Sequence, residues 1–163
     1  MRPELRISAL LGRLVAGGVD FVAIGGVAVI AQGYLRTTDD LDICYSGEAA
    51  NLEALGTVLV ELRARLRGVD EDVPFMPDAR TLRGTEILTL DTEEGGLDLL
   101  VDPQGSPGYE RLKANAERAD FDGFEILIAS VEDLLLMKRA ANRPKDQIDI
   151  DALTAIQRMR RRP

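Results

Sequence analysis

The chain has 163 residues, of which 45% are hydrophobic and 29% charged, so it is long enough to bury a hydrophobic core. It contains one cysteine and no histidine, which excludes an internal disulfide, a zinc site built from several cysteines, and catalysis by a histidine base. The net charge of −8 disfavours non-specific binding to nucleic acid.

Hydrophobic periodicity and turn residues predict helices that alternate with short strands. The predicted helices are 4–16, Val27–Tyr34, 49–67, Asp78–Leu82, Gly108–Glu117, Ser130–Ala141 and Pro144–Arg160. The predicted strands are Asp20–Ile24, Asp40–Cys44, Glu86–Leu90, Leu97–Val101 and Phe124–Ile128. Glycine, proline and acidic residues predict a loop over 68–77 and the turn of a hairpin over 92–96.

These elements predict one α/β (α+β) domain over residues 1–163, in which helices flank a small mixed sheet of about five strands. Residues 130–163 are expected to form its C-terminal helices. No apolar run reaches the length of a membrane span, and the amphipathic N-terminal stretch is unlike a signal peptide. We therefore expect a cytoplasmic protein with no membrane partner.

The pair Gly25-Gly26 stands between a short apolar strand and a helix. Glycine permits a tight turn and lets backbone N–H groups approach phosphate oxygens at the start of the following helix. Such a pair is by itself a common turn device. Because acidic residues follow it closely, we predict that Gly25 and Gly26 bind the phosphates of a nucleotide.

Acidic residues provide the strongest indication of a site. Asp40 and Asp42 are one residue apart in a strand, which places both carboxylates on the same face. Asp98 is a lone charge in an otherwise apolar strand; it either faces water on an edge strand or completes a metal site, and the acid pair favours the metal site. Cys44 shares the face of the acid pair, and we expect it to be a small buried hydrophobe.

Carboxylate oxygens are the ligands that Mg²⁺ prefers, and two such ions can activate an attacking oxygen and neutralise a leaving one. We predict that Asp40, Asp42 and Asp98 hold two Mg²⁺ ions and are the catalytic residues. Asp98 is also a candidate to take the proton from an attacking hydroxyl.

A strand, a glycine pair, a helix, an Asp-x-Asp motif and an acid on a later strand occur here in that order. The pattern resembles the nucleotidyltransferase superfamily, which has the DNA polymerase β-like fold. The closer resemblance is to the AbiEii-like nucleotidyltransferases, many of which are toxins of toxin–antitoxin pairs. It is carried by residues 36–42 (RTTDDLD), 131–138 (VEDLLLMK) and 143–149 (RPKDQID).

This resemblance implies transfer of a nucleoside monophosphate from an NTP to an acceptor, with Mg²⁺ as cofactor. It also implies that Lys138 contacts the triphosphate and that Arg36 and Thr38 border the nucleotide pocket. Judged without the family, Lys138 is equally consistent with a lysine at a helix edge. Asp146 and Asp149 are consistent with the ordinary charge pattern of a helix surface.

The acceptor stays open among RNA, a protein and a small molecule, and a cognate antitoxin is an expected partner protein. Val27 stands where many superfamily members have serine, so a hydroxyl contact to phosphate is absent. The aromatic content of 4% disfavours stacking on RNA bases. One alternative is an aminoglycoside-type small-molecule adenylyltransferase, since an acidic surface suits a cationic acceptor. Another is a catalytically degenerate module that binds nucleotide or a partner.

Overall fold

The computed structural model describes residues 2–70 and 73–162, and its centre is a mixed sheet of seven strands. The strands are β1 (Phe21–Ile24), β2 (Asp40–Tyr45), β3 (Arg65–Leu66), β4 (Ile87–Thr92), β5 (Gly95–Leu100), β6 (Glu117–Phe121) and β7 (Phe124–Ile128). They lie in the order β3-β4-β5-β2-β1-β7-β6. β1 runs parallel to β7 and antiparallel to β2, while β2 runs parallel to β5.

Helices flank this sheet, as the sequence predicts. They are α1 (Ile7–Ala16), α2 (Gly25–Ala31), α3 (Ala49–Glu61), α4 (Ala79–Gly84), α5 (Tyr109–Asn115), α6 (Val131–Ala141) and α7 (Asp146–Arg161). α2 connects β1 to β2 and packs on both, and α6 packs on α7. Ser130 caps α6 by accepting a hydrogen bond of 3.1 Å from the N–H of Asp133.

The prediction of about five strands is wrong because β3 and β6 are absent from it. For β6, the predicted helix Gly108–Glu117 continues too far, since α5 ends at Asn115. The reason is the tight turn at Asp122-Gly123, whose φ angles are +49° and +89°. This turn pairs the strands on either side of it into a hairpin, and Asp-Gly is a strong hairpin signal.

The predicted helix over 49–67 also continues too far, because α3 ends at Glu61. Arg63 has a φ of +51°, which breaks the helix, and the two residues of β3 then pair with β4. In the loop predicted over 68–77, residues 71 and 72 lie outside the described residues. The rest of that segment contains neither helix nor strand, as predicted.

The register of β2 and β5 positions the acidic residues. Leu41 and Ile43 are fully buried, and Asp40 and Asp42 alternate with them on the other face of β2. β2 and β5 pair in parallel so that Asp42 lies beside Asp98. Cys44 is fully buried, as expected, and burial raises the pKa of its thiol to about 12. In the described part of the chain no helix is long and apolar enough to cross a membrane.

Candidate functional site

One cleft contains all eight residues that the sequence predicts for the site. The cleft has a volume of about 860 Å³ and is lined by residues of β1, β2, β5, α2, α6 and α7. The eight residues are Gly25, Gly26, Arg36, Thr38, Asp40, Asp42, Asp98 and Lys138. The structure brings them together, and the roles assigned to them stay predictions.

Asp42 and Asp98 are neighbours on adjacent strands, and their side chains share a hydrogen bond. Burial, followed by repulsion from Asp98 and Asp40, raises the pKa of Asp42 to about 7. Burial also raises the pKa of Asp98, against the attraction of Arg67. The acid pair therefore retains a proton close to neutral pH, which a bound cation would displace.

Two arginines that the sequence does not single out lie against these acids. Nη2 of Arg67 is 3.0 Å from Oδ1 of Asp98 and 3.2 Å from Oδ1 of Asp40. Arg2 pairs with Asp40 and also with Asp91, at 3.3 Å. Arg67 directly follows β3, a strand that the sequence analysis misses, so its position beside the acids could not be deduced from the predicted helix.

The donor chemistry of this acid group fits Mg²⁺, which takes carboxylate oxygens. Oδ1 of Asp98 is buried and accepts no well-aligned hydrogen bond, although Nη2 of Arg67 lies within ion-pair distance. Among residues 2–70 and 73–162, no three acidic or cysteine side chains converge closely enough to hold a metal ion as they stand. Binding of a metal ion would therefore require the acidic side chains to move closer together.

Gly25 and Gly26 form the first turn of α2, which begins two residues before the predicted helix. Gly25 has a φ of +62°, and a Cβ atom there would overlap Oδ2 of Asp42 and lie 2.8 Å from its Cγ. A Cβ atom at Gly26 would lie 2.5 Å from Oγ1 of Thr38 and 3.1 Å from Nη2 of Arg36. The glycine pair thus leaves room for the polar side chains of the cleft.

The Gly25→Ala variant is expected to be destabilised by about 1–3 kcal/mol from the left-handed backbone alone, with a further cost from displacing Asp42. The matched control is Gly47→Ala. A Cβ atom at Gly47 would have no other atom within 4 Å, and the φ of Gly47 is not in the left-handed region. Urea unfolding of the three proteins measures the difference. Equal midpoints for both variants would show that Gly25 is not under this constraint.

Another part of the cleft carries positive side chains that two buried aspartates hold in place. Arg36 donates two hydrogen bonds to Asp149, at 2.8 and 2.9 Å, and Nζ of Lys138 lies 2.9 Å from Oδ2 of Asp149. Arg143 makes a similar double contact with Asp146, at 2.8 and 3.1 Å. The Lys138 side chain is only 12% exposed, so its alternative placement at the surface is wrong.

The interpretation of Asp146 and Asp149 as surface charges is also wrong, because they are 1% and 4% exposed. Burial opposes ionisation, but the hydrogen bonds from Arg36 and Lys138 lower the pKa of Asp149, and those from Arg143 lower the pKa of Asp146. Their spacing of three residues, which puts both on one face of α7, is the signal that could have indicated a shared role.

No protein-family model matches the chain, and neither does any curated protein. Solved structures do match it. LnuA, a lincosamide antibiotic adenylyltransferase with bound lincomycin, is 18% identical with a TM-score of 0.63, over 94% of this chain and 99% of that one. ANT(2")-Ia, in complex with adenylyl-2"-tobramycin, is 17% identical with a TM-score of 0.58, over 90% of this chain and 84% of that one.

An antigenic nucleotidyltransferase-like protein from Paracoccidioides brasiliensis is 20% identical with a TM-score of 0.55, over 92% of this chain and 72% of that one. The chain has a nucleotidyltransferase fold. In this nucleotidyltransferase fold, the cleft is lined by the Asp-x-Asp motif of β2, the acid of β5 and the glycine pair at the start of α2. At such identities the likeness establishes the fold.

Proposed function

We propose that the protein is a Mg²⁺-dependent nucleotidyltransferase that moves a nucleoside monophosphate from an NTP to an acceptor. The observation that carries this proposal is the meeting, in one cleft, of the acid group Asp40, Asp42 and Asp98 with the positively charged side chains of Arg36, Lys138 and Arg143. A nucleotide with its metal ion requires both: acids for the metal and cations for the phosphates that the metal leaves uncovered.

Asp40, Asp42 and Asp98 would hold Mg²⁺. Bound there, Mg²⁺ would neutralise the charge that builds up on the phosphate oxygens and on the leaving pyrophosphate. Asp98 would accept the proton of the attacking hydroxyl or amine, because its raised pKa makes its carboxylate a stronger base than an exposed one. The acids that bind the metal and the acid that removes the proton would thus lie side by side on the neighbouring strands β2 and β5.

Arg36, Lys138 and Arg143 would orient the triphosphate. Arg36 and Arg143 are each fixed by a double contact to a carboxylate, so little side-chain freedom is lost when phosphate binds. Gly25 and Gly26 would let the phosphates approach the backbone, because they carry no side chain. Thr38 would border the nucleotide beside Arg36.

A small-molecule acceptor is the version of this function that the cleft favours. Ile87 and Ile148 line the cleft and are 59% and 63% exposed. An acceptor with an apolar body and a positive charge would cover these side chains while the acids attract its charge. Two proteins of the same fold point the same way, since one is named a lincosamide antibiotic adenylyltransferase and the other holds adenylyl-2"-tobramycin.

The resemblance to AbiEii-like proteins supports a second candidate, a toxin with a cognate antitoxin and with RNA or a protein as acceptor. Both candidates use the same donor site and differ in the acceptor. Mass spectrometry of candidate acceptors after incubation with the protein, an NTP and Mg²⁺ distinguishes them by which molecule gains a nucleoside monophosphate.

The test of the proposed function is calorimetric titration of each NTP with and without Mg²⁺. We expect binding that requires Mg²⁺ and that weakens by more than about 100-fold in the Asp40→Asn/Asp42→Asn variant. The matched control is Asp120→Asn/Asp122→Asn, which removes the same two charges from an exposed hairpin. Binding that persists in the first double variant, or that needs no metal, would contradict the proposal. Binding without transfer to any acceptor would indicate a degenerate module.

A further inference from the structure

The acid group of the cleft is covered on one side by a guanidinium group. Arg67 reaches Asp40 and Asp98 with the same nitrogen, Nη2, at 3.2 and 3.0 Å. Its Nε lies 3.2 Å from Oδ1 of Asp91. One arginine therefore contacts three carboxylates, two of which belong to the proposed metal site.

Arg67 is held in this place by the fold. Its backbone N–H donates to the carbonyl of Thr89 at 2.9 Å, and Nη2 donates to the carbonyl of Leu90 at 2.8 Å. Its side chain is 21% exposed. Gly96 makes the room, because a Cβ atom there would lie 2.9 Å from Nη2 of Arg67 and overlap Oδ1 of Asp40. These contacts fix both the backbone of Arg67 and its guanidinium group, so its position beside the acids is set by the fold.

The charges of the group leave room for one divalent ion. Asp40, Asp42, Asp91 and Asp98 bring four negative charges when ionised, and the two arginines in contact with this group, Arg2 and Arg67, bring two positive charges. Lys138 also attracts Asp42, but its ion pairs are with Asp146 and Asp149. The remainder of two negative charges is neutralised by one divalent ion. With that ion bound, the group has no net charge. A second divalent ion would then be repelled by the first ion and by the two guanidinium groups, until a triphosphate brings further negative charge.

We propose that Arg67 is a built-in cation of the carboxylate site, so that the nucleotide-free protein binds one divalent ion rather than the two expected from the sequence. Asp40, Asp42 and Asp98 would hold this ion. Nη2 of Arg67 lies against both Asp40 and Asp98, so it would compete there with a second ion. This inference rests on the proposed metal-dependent function.

Titration with Mn²⁺, followed by the electron paramagnetic resonance signal of the free ion, tests the proposal. We expect one Mn²⁺ per chain in the wild type and in Arg67→Lys, which keeps the charge, and two in Arg67→Gln. The matched control is Arg63→Gln, which removes the same charge four residues away, where Arg63 is 83% exposed and pairs with Glu93. This control is expected to bind one ion, like the wild type.

Two ions in the wild type, or one ion in a folded Arg67→Gln variant, would overturn the proposal. Circular dichroism shows whether Arg67→Gln is folded. If this variant does not fold, the number of Mn²⁺ ions bound by the wild type still tests the proposal. If the wild type binds no Mn²⁺ while NTP binding still requires Mg²⁺, the proposal is wrong and the nucleotidyltransferase function stands. If NTP binding also lacks any metal requirement, both are wrong.

Discussion

The Asp42→Asn variant is expected to be more stable than the wild type above neutral pH and to lose metal-dependent nucleotide binding. The cause is the pKa of Asp42, which burial and the neighbouring acids raise from 3.8 to about 7. An uncharged amide of the same shape avoids the repulsion and can still donate a hydrogen bond to Asp98. A variant that gains stability while losing binding identifies a residue kept for function at a cost to the fold.

The pH dependence of this difference follows from proton binding. Below pH 4 Asp42 is protonated in both the folded and unfolded states, so it imposes no penalty. Between about pH 4 and 7 the unfolded chain releases the proton and the folded chain retains it, so the free energy of unfolding falls as pH rises. Above pH 7 the full penalty applies, as much as about 4 kcal/mol.

Urea unfolding in EDTA at pH 5, 6.5 and 8 measures the effect as the difference between wild type and Asp42→Asn. We expect this difference in the free energy of unfolding to grow across the range from pH 5 to pH 8. Asp120→Asn, at an exposed carboxylate, controls for the loss of one negative charge. A difference that does not change with pH would mean that Asp42 titrates like an exposed acid.

The Asp149→Ala variant is expected to lose about 3 kcal/mol of stability and most of its affinity for NTP. Asp149 is 5% exposed at its side chain and holds both Arg36 and Lys138. Without it, Arg36 keeps its charge in a partly buried place with no carboxylate beside it. Both side chains also lose the orientation that the proposed triphosphate binding requires. Thermal unfolding and NTP calorimetry measure the two losses.

The control for Asp149→Ala is Asp151→Ala on the same helix. Asp151 is exposed and accepts a hydrogen bond of 2.9 Å from Gln147, so its loss is expected to change stability by less than about 0.5 kcal/mol. Because both variants remove one aspartate from α7, a similar loss in the two would show that helix propensity or net charge, and not the buried ion pairs, is responsible.

The acidic part of the cleft was predictable because it depends on local rules. The two-residue period of a strand places Asp40 and Asp42 together, and a charge in an apolar strand makes Asp98 conspicuous. The position of Asp98 beside Asp42 depends on the order and register of the strands, which only the structure gives. The alternation of residues predicts which face a side chain occupies, and it does not predict which strands are neighbours.

The parts that were missed depend on contacts between distant segments. β6 forms because a two-residue turn folds it back on β7, although residues 108–117 have a helical pattern. Arg67 reaches the acids only because β3 adds to the edge of the sheet, and no spacing in the sequence marks it. Asp146 looks like a surface residue until Lys138 and Arg143 are seen to cover it.

The cleft is assembled from segments spread along almost the entire described chain. The pair between Arg36 and Asp149 joins residues 113 positions apart, and Arg2 reaches Asp40 across 38 positions. Contacts of such long range carry a cost in loop-closure entropy, and topologies rich in them fold slowly. On the ribosome, the growing chain holds its carboxylates well before α7 exists to fix Arg36 and Lys138. Under the proposed function, the nascent chain would therefore lack a fixed triphosphate site until α7 has been synthesised and has docked.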